Sequence, residues 1–505
     1  MLAAGATRVV VVRAITEAGD PAAATRAFEE KLAAVSPGRR GTRSGSEPVA
    51  TTRPRLKRWQ QRRDETGRIA TDNRRASVAE PKIVVDHREH LWYLLAEAAQ
   101  VEHLIMCQYL YASFSLKTGP DEGLTAEQAD AVARWHQVLT GIAVEEMLHL
   151  ALVFNVMTAI GAAPPLSRPN FPRHSDDLPG GVQFALLPFG ADSLTHFLYL
   201  ERPEGTERVD AAGFVPAAPP RAPVQPDEVM PRGQDFGTVG HLYRSIEQGL
   251  KAFSEQIGER AVFVGPQRAQ ATPELFRWPQ LITVHDLQTA MAAISEIIEQ
   301  GEGARGDWKP AHYGRFLGIW EEYRKLTEAD PSFEPARPVI AAFTSQPYDI
   351  PEPQPLIGDP LTRSVAEVFN LGYETLLQTL NRFFTHTDET DEQLAALVGA
   401  AFGLMAGVLR PLGRALTRLP AGPDHPGRTA GPTFEMYYPF GNFVPWRGPA
   451  WALLTERACL LAARCQAAAA LPGAPAVVQD AAGSAAGIEA ALTRHVPADL
   501  RPRQS

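Results

Sequence analysis

Glu102 stands where a helix should be apolar. Leu91, Leu95, Ala98, Ile105 and Tyr109 recur at three- and four-residue steps, the period of a helix face turned to a core, and Glu102 falls in register between Ala98 and Ile105. A carboxylate stripped of water there is costly unless a cation compensates it. A second stripe carries the candidate answer. Ile142, Glu146, His149, Val153 and Met157 share one face, and Glu146 with His149 forms an ExxH pair that sets a carboxylate and an imidazole one turn apart. Carboxylate-bridged di-iron and di-manganese bundles take one Glu from each of two helices and ExxH from each of the other two. The metal's charge would supply what Glu102 lacks. Tyr109, two turns along from Glu102, is a candidate catalytic residue, as a hydrogen-bond donor or redox neighbour of the metal.

A metal pair needs a second half-site. Glu247, in "LYRSIEQGL" beside Tyr243, Ile246 and Leu250, suits the helix that gives a single carboxylate. "SEIIEQGEG" offers Glu296, Glu299 and Glu302, none of them followed three residues later by His. Gly301 and Gly303 each disfavour helix by roughly 1 kcal/mol relative to Ala, so the chain can turn there and bring back His312, which opens the next helix. The expected ligands are therefore Glu102, Glu146, His149, Glu247, Glu299 and His312, with Glu302 in reserve. Carboxylate and imidazole donors suit two iron ions, with manganese as the alternative. Glu145 reads as the outward neighbour of Glu146, Glu296 as a solvent-facing charge, and Cys107 as a small buried hydrophobe. His103, His136, His241 and His285 read as structural.

Long helices must position these groups. One runs from about Asp86 to Lys117. The next starts at "LTAEQ", where Thr125 and Gln128 form a capping-box pattern, and stops at "GAAPP" after Gly161. Residues 164–236 are rich in Pro and Gly, with a strand-like "VQFALLPF" and a short helix in "SLTHFLYLE". Further helices begin near Thr238, Asp286 and His312. A proline-rich stretch, 329–360, precedes more helical patterns near 361–386, 391–418, 447–471 and 484–494. The expected fold is all-α: a four-helix bundle over residues 81–328 with a long irregular crossover, a linker over 329–360, and a helical carboxy-terminal domain over 361–505. Residues 1–80 read as an irregular amino-terminal arm, with a short strand in "RVVVVRAI" and a helix in "PAAATRAFEEKLAAV". Between Arg39 and Arg75 that arm carries 12 Lys/Arg against 4 Asp/Glu, the pattern of a solvated segment.

Composition limits the rest. The chain has 505 residues, 45% of them hydrophobic, and a net charge of −9, which argues against a general nucleic-acid partner. Its 3 cysteines form neither a disulfide framework nor a CxxC site, so a reducing cytoplasm is the expected location. No unbroken run of apolar residues reaches membrane-span length, and no membrane partner is expected.

The stretch "EHLIMCQYLYASFSLK" followed by "EEMLHLALVFNVMTAIGAAPPLSRPNFP" resembles the ferritin-like domain of the iminophenylpyruvate dimer synthase family, found in bisindole pathways such as those to violacein and rebeccamycin. The resemblance continues through "IIEQGEG", "HYGRF", "LMAGVLRPLGRALTRLPAG" and "AGPTFE", over roughly residues 82–440. It implies a ferritin-like bundle and a non-haem di-iron oxidoreductase that uses O₂ or peroxide on a small, amino-acid-derived substrate in secondary metabolism. Expected partners are that substrate and O₂, and either a second copy of the chain or another biosynthetic enzyme. The alternatives are a ferroxidase and a non-catalytic, metal-stabilised scaffold.

Overall fold

Helix α1, Arg88–Ser115, and helix α2, Ala126–Ala159, run antiparallel and form the spine of the bundle. Glu102 faces Glu146 and His149 at one level, while Ser113 Oγ meets Thr140 Oγ1 at 3.1 Å at another. α2 starts as its sequence requires. Thr125 Oγ1 accepts from the Gln128 N–H at 3.2 Å, and Gln128 Oε1 accepts from the Thr125 N–H at 2.9 Å. Its other end is closed by backbone: the Gly265 N–H donates to Ala159 O at 2.9 Å, so close to α2 that a Cβ on Gly265 would lie 1.7 Å from Thr158 O. In this computed structural model the described residues are 82–500, without 174–181, 213, 215–223, 225–227, 229–231, 304–307 and 438–442. The arm expected over residues 1–80, with its strand, helix and basic segment, lies outside them.

The crossover after α2 carries the short helix α3, Ala191–Leu200; the strand-like stretch beside it makes only an isolated bridge, Arg173 to Phe184. Helix α4, Val239–Ile257, packs on α1, and α5, Leu287–Gly301, packs on α2 and α4, which completes four helices. Helix α6, His312–Ala329, lies against α2 and α3. Among the described residues no extended strand occurs, and the fold is an all-α helical bundle.

Residues 329–360, linker-like in composition, form an ordered strap. Val339, Ala342, Phe343 and Ile357 are buried in the common core. Arg337 ties the strap to the end of α1: its guanidinium donates to Leu116 O at 2.7 Å and Phe114 O at 3.1 Å, and pairs with Glu122 at 2.6 Å. Beyond the strap lie α7, Pro360–Phe384; α8, Asp391–Leu404; α9, Arg410–Leu416; α10, Arg447–Ala469; and α11, Ala476–Thr493. α8 and α9 form one continuous rod broken by a π-helical turn at Met405–Leu409. Pro411 explains the turn, since it has no N–H for the carbonyl four residues back and its ring needs room there. By length and apolarity alone α2 and the Asp391–Leu416 rod reach membrane-span size, but α2 is the core helix of the bundle. Arg382 and Glu389, both almost fully buried, pair at 2.6 Å where α7 turns into α8, and Trp451 Nε1 of α10 donates to the same carboxylate at 3.0 Å.

Candidate metal centre

Five buried side chains from three helices and the crossover converge at one level of the bundle. Glu102 on α1, Glu146 and His149 on α2 form one group; Glu146, Glu201 and His312 form a second, with the ligand atoms of each group within 4.8 Å of one another. Glu146 belongs to both. Its Oε2 lies 3.0 Å from His149 Nδ1 and its Oε1 2.9 Å from His312 Nδ1. Glu102 Oε2 stands 3.6 Å from His149 Nδ1, and Glu201 Oε1 stands 3.7 Å from His312 Nδ1. The two imidazoles lie 5.3 Å apart at an interplanar angle of 25°.

A surrounding layer fixes the orientation of these groups. Tyr243 on α4 donates its hydroxyl to Glu102 Oε1 at 2.5 Å, and Tyr109 on α1 donates to Glu201 Oε1 at 2.5 Å. Burial, reinforced by the adjoining carboxylates, raises both phenol pKa values well above the usual range, so both remain donors. On the far side of the rings, His149 Nε2 faces Gln300 Oε1 at 3.1 Å, and His312 Nε2 faces Glu145 Oε2 at 2.9 Å. These acceptors hold a proton on each Nε2 and leave each Nδ1 to the cluster, the arrangement that orients metal-bound histidines.

Electrostatics show what the cluster demands. Burial, with the charge of Glu146 added, pushes the Glu102 carboxyl up to about 7, against the pull of His149. Burial opposes charge on His149, yet Glu146 and Glu102 outweigh it and raise the imidazole to about 10. His312 also overcomes its burial, and Glu146, Glu145 and Glu201 hold it well above the usual histidine range. Glu146 in turn is lowered: burial works the other way, but His312 and His149 prevail. Protons on two imidazoles thus supply the positive charge that three buried carboxylates require. The donors fit a metal pair. His312 Nδ1 is fully buried and aimed at two carboxylates, yet makes no well-formed hydrogen bond. Once its Nδ1 proton leaves, its lone pair and theirs point to a common centre. Three carboxylates and two imidazoles suit iron or manganese.

Glu102, Glu146, His149 and His312 are brought together as the sequence suggests. Glu247 and Glu299 are not. Glu247 is 26% exposed and pairs with Lys251 one turn on at 2.6 Å; α4 turns Tyr243, not Glu247, toward Glu102. Glu299 is exposed, because α5 buries Ala293, Ile294 and Ile297 instead. Glu302, the reserve, points inward but accepts from the Gly240 N–H at 3.0 Å and pairs with Arg244 at 2.7 Å. Tyr109 reaches the site through Glu201. Sequence reasoning missed Glu201, which ends α3 in register with Leu194 and Phe197, an interruption of an apolar stripe like that at Glu102. It also misread Glu145, which binds His312 and Arg315 rather than facing outward alone.

The ferritin-like family model matches residues 95–321, a span that contains all five converging residues. Residues 95–321 are thus similar to the ferritin-like family. Two curated relatives align over most of the chain. Dichlorochromopyrrolate synthase of Lentzea aerocolonigenes is 28% identical over 387 residues, 70% of this chain and 36% of that protein. The 2-imino-3-(indol-3-yl)propanoate dimerase of Chromobacterium violaceum is 27% identical over 371 residues, 69% of this chain and 34% of that protein. The chain spans about a third of the length of each relative, and its likeness to the iminophenylpyruvate dimer synthase family is borne out by both. A solved ferritin-like protein from Caulobacter vibrioides aligns with a TM-score of 0.39 at 17% identity, covering 63% of this chain and 97% of that one.

Proposed function

We propose that the protein is a non-haem dinuclear iron oxidoreductase that uses O₂ or peroxide on a small, amino-acid-derived substrate in secondary metabolism. The carrying observation is Glu146, one buried carboxylate shared by two Glu/Glu/His groups. The names of the relatives support the biosynthetic setting, one of them a dimerase of an imino acid with an indole side chain. A bound iron pair would supply redox equivalents and Lewis acidity.

The protein's own residues do the rest. Glu102, Glu146 and His149 would hold one ion, and Glu146, Glu201 and His312 the other. Tyr243 and Tyr109 orient the outer carboxylates: Tyr243 donates to the Glu102 oxygen turned away from His149, and Tyr109 donates to Glu201 Oε1, the oxygen that faces His312. Gln300 and Glu145 hold the Nε2 protons, and loading must expel the Nδ1 protons. Beside the cluster lies a space of about 20 Å³ lined by Glu102, Glu201, Gly240, Tyr243 and Ile297, room for one water-sized molecule. That size suits O₂ or peroxide. It also favours a second reading, a ferroxidase without organic substrate.

Anaerobic titration of metal-free protein with Fe(II), followed by O₂ uptake, separates these readings. The proposal expects two Fe(II) per chain, loss of both in Glu146→Ala, and no loss in Glu247→Ala. O₂ uptake should then turn over repeatedly only with an imino-acid substrate. Full iron occupancy in Glu146→Ala would overturn the metal assignment. Turnover sustained by Fe(II) alone, unchanged by imino acids, would establish the ferroxidase.

A further inference from the structure

A second cavity, of about 520 Å³, lies between the α1/α2 pair and the carboxy-terminal helices α7 to α9. It shares no lining residue with the space at the metal cluster. On α1 it is lined by Met106, Leu110 and Phe114, about a quarter turn around the helix from Glu102 and Tyr109 at 100° per residue. On α2, Met147, Leu150 and Phe154 stand in the same relation to Glu146. Whatever occupies this cavity therefore touches the flank of the ligand helices, not the metal ligands.

Its chemistry is one-sided. The body is apolar and rich in aromatic rings, and one wall is the π-helical turn, through Met405, Ala406 and Leu409. Such turns are frequent at functional sites. Charge enters only as cations, for no acidic side chain among the described residues lines the cavity. Where the amino-terminal part of α2 approaches α9, Arg410 and Arg414 stand together beside His136. Arg414 donates to His136 Nε2 at 2.9 Å, which requires a neutral imidazole, while Arg410 has no ion pair among the described residues. Burial together with Arg414 and Arg410 pushes His136 down to about 4, so this group adds no acid to the site. Burial and its neighbours Arg410, Arg418 and Arg337 likewise press the Arg414 guanidinium downward, the mark of positive charge without a counter-ion. Arg337 and Arg418 are already engaged by Glu122, whereas Arg410 and Arg414 are not.

We infer that this cavity binds an amphipathic carboxylate, a small molecule whose apolar body lies between α1/α2 and α7 and whose carboxylate is taken by Arg410 and Arg414. Volume, apolar lining with a few convergent polar groups, and position between packed helices all match a small-molecule site. Two guanidiniums in reach of one rim favour a planar anion over an alcohol or an amine. The far end, lined by Phe276 and Phe384, would receive the tail.

Isothermal titration of the full chain with decanoate, decanol and decylamine tests the inference. Decanoate should bind once per chain, at least tenfold tighter than decanol, and decylamine should not bind. Arg410→Ala and Arg414→Gln should each weaken decanoate about tenfold and leave decanol unchanged. Ala406→Trp, on an exposed wall position, should abolish binding while thermal melting and iron content stay as in the wild type. Equal affinities for decanoate and decanol, or arginine variants that bind decanoate normally, would overturn the anion reading. Failure of decanoate to bind, with a dimer that Ala406→Trp dissociates in light scattering, would show a second copy covering the cavity. Binding only to anionic phosphatidylglycerol vesicles would show a membrane surface instead.

Discussion

Replacing Glu145 by Ala should weaken one metal position and spare the other. Glu145 Oε2 lies 2.9 Å from His312 Nε2 and touches no other cluster residue. Carboxylates that receive the far N–H of a ligating histidine are worth 10- to 100-fold in metal affinity, about 1.4 to 2.8 kcal/mol. Here the carboxylate is 32% exposed and shared with Arg315, which puts the effect in the lower part of that range, roughly 10- to 30-fold. A second consequence works against the first. Glu145 also helps to raise the His312 pKa, so without it fewer protons compete with the metal. The loss measured near pH 7 should therefore be smaller than the loss near pH 9, where competition fades. Anaerobic Fe(II) titration of metal-free wild type, Glu145→Ala and Glu145→Gln at both pH values resolves the two steps. One step should shift, more in Ala than in Gln. Unchanged affinity at both pH values, or equal losses in both steps, would refute the role given to Glu145.

Glu102 makes metal-free protein pH-sensitive. Its carboxyl holds a proton to about 7 in the native state but only to its ordinary value of 4.5 when unfolded, so its contribution is present below 4.5 and lost as pH rises to 7. That difference corresponds to about 3 kcal/mol, and urea midpoints at pH 5 and pH 8 should show a drop that Glu102→Gln reduces, the remainder coming from the raised His149 and His312. Glu389→Ala leaves the Arg382 guanidinium buried and unpaired, and should cost about 3–5 kcal/mol by urea unfolding without changing iron stoichiometry.

Most helices were legible because their apolar periods and caps are strong: the Thr125/Gln128 box starts α2 where its sequence says. Glu102, Glu146 and His149 were legible for the same reason, since a charge on an apolar stripe is visible without tertiary knowledge. The second half-site was harder to read. Its search ran along α4 and α5 because a symmetrical bundle draws ligands from four long helices, whereas Glu201 comes from the ten-residue helix α3 in the crossover. Glu247 shows the limit of periodicity: it borders an apolar face, and one nearby Lys251 suffices to turn it outward. Glu145 needed tertiary knowledge, since its partner His312 belongs to a distant helix. The strap over 329–360 looked like a linker because proline content says nothing of which apolar residues find a core.

Placing Glu201 on the crossover rather than on a bundle helix changes what metal does for the chain. The segment between α2 and α4 is held at its middle by the Glu201 carboxylate, whose neighbours at the site come from far earlier and far later in the sequence. An ion joining them acts as a crosslink across long loops, restricting the unfolded ensemble as a disulfide would, with a gain that grows slowly with loop length. Unlike a disulfide, such a staple would form and dissolve with metal supply, and would tie the order of the crossover by mass action to the free metal around it.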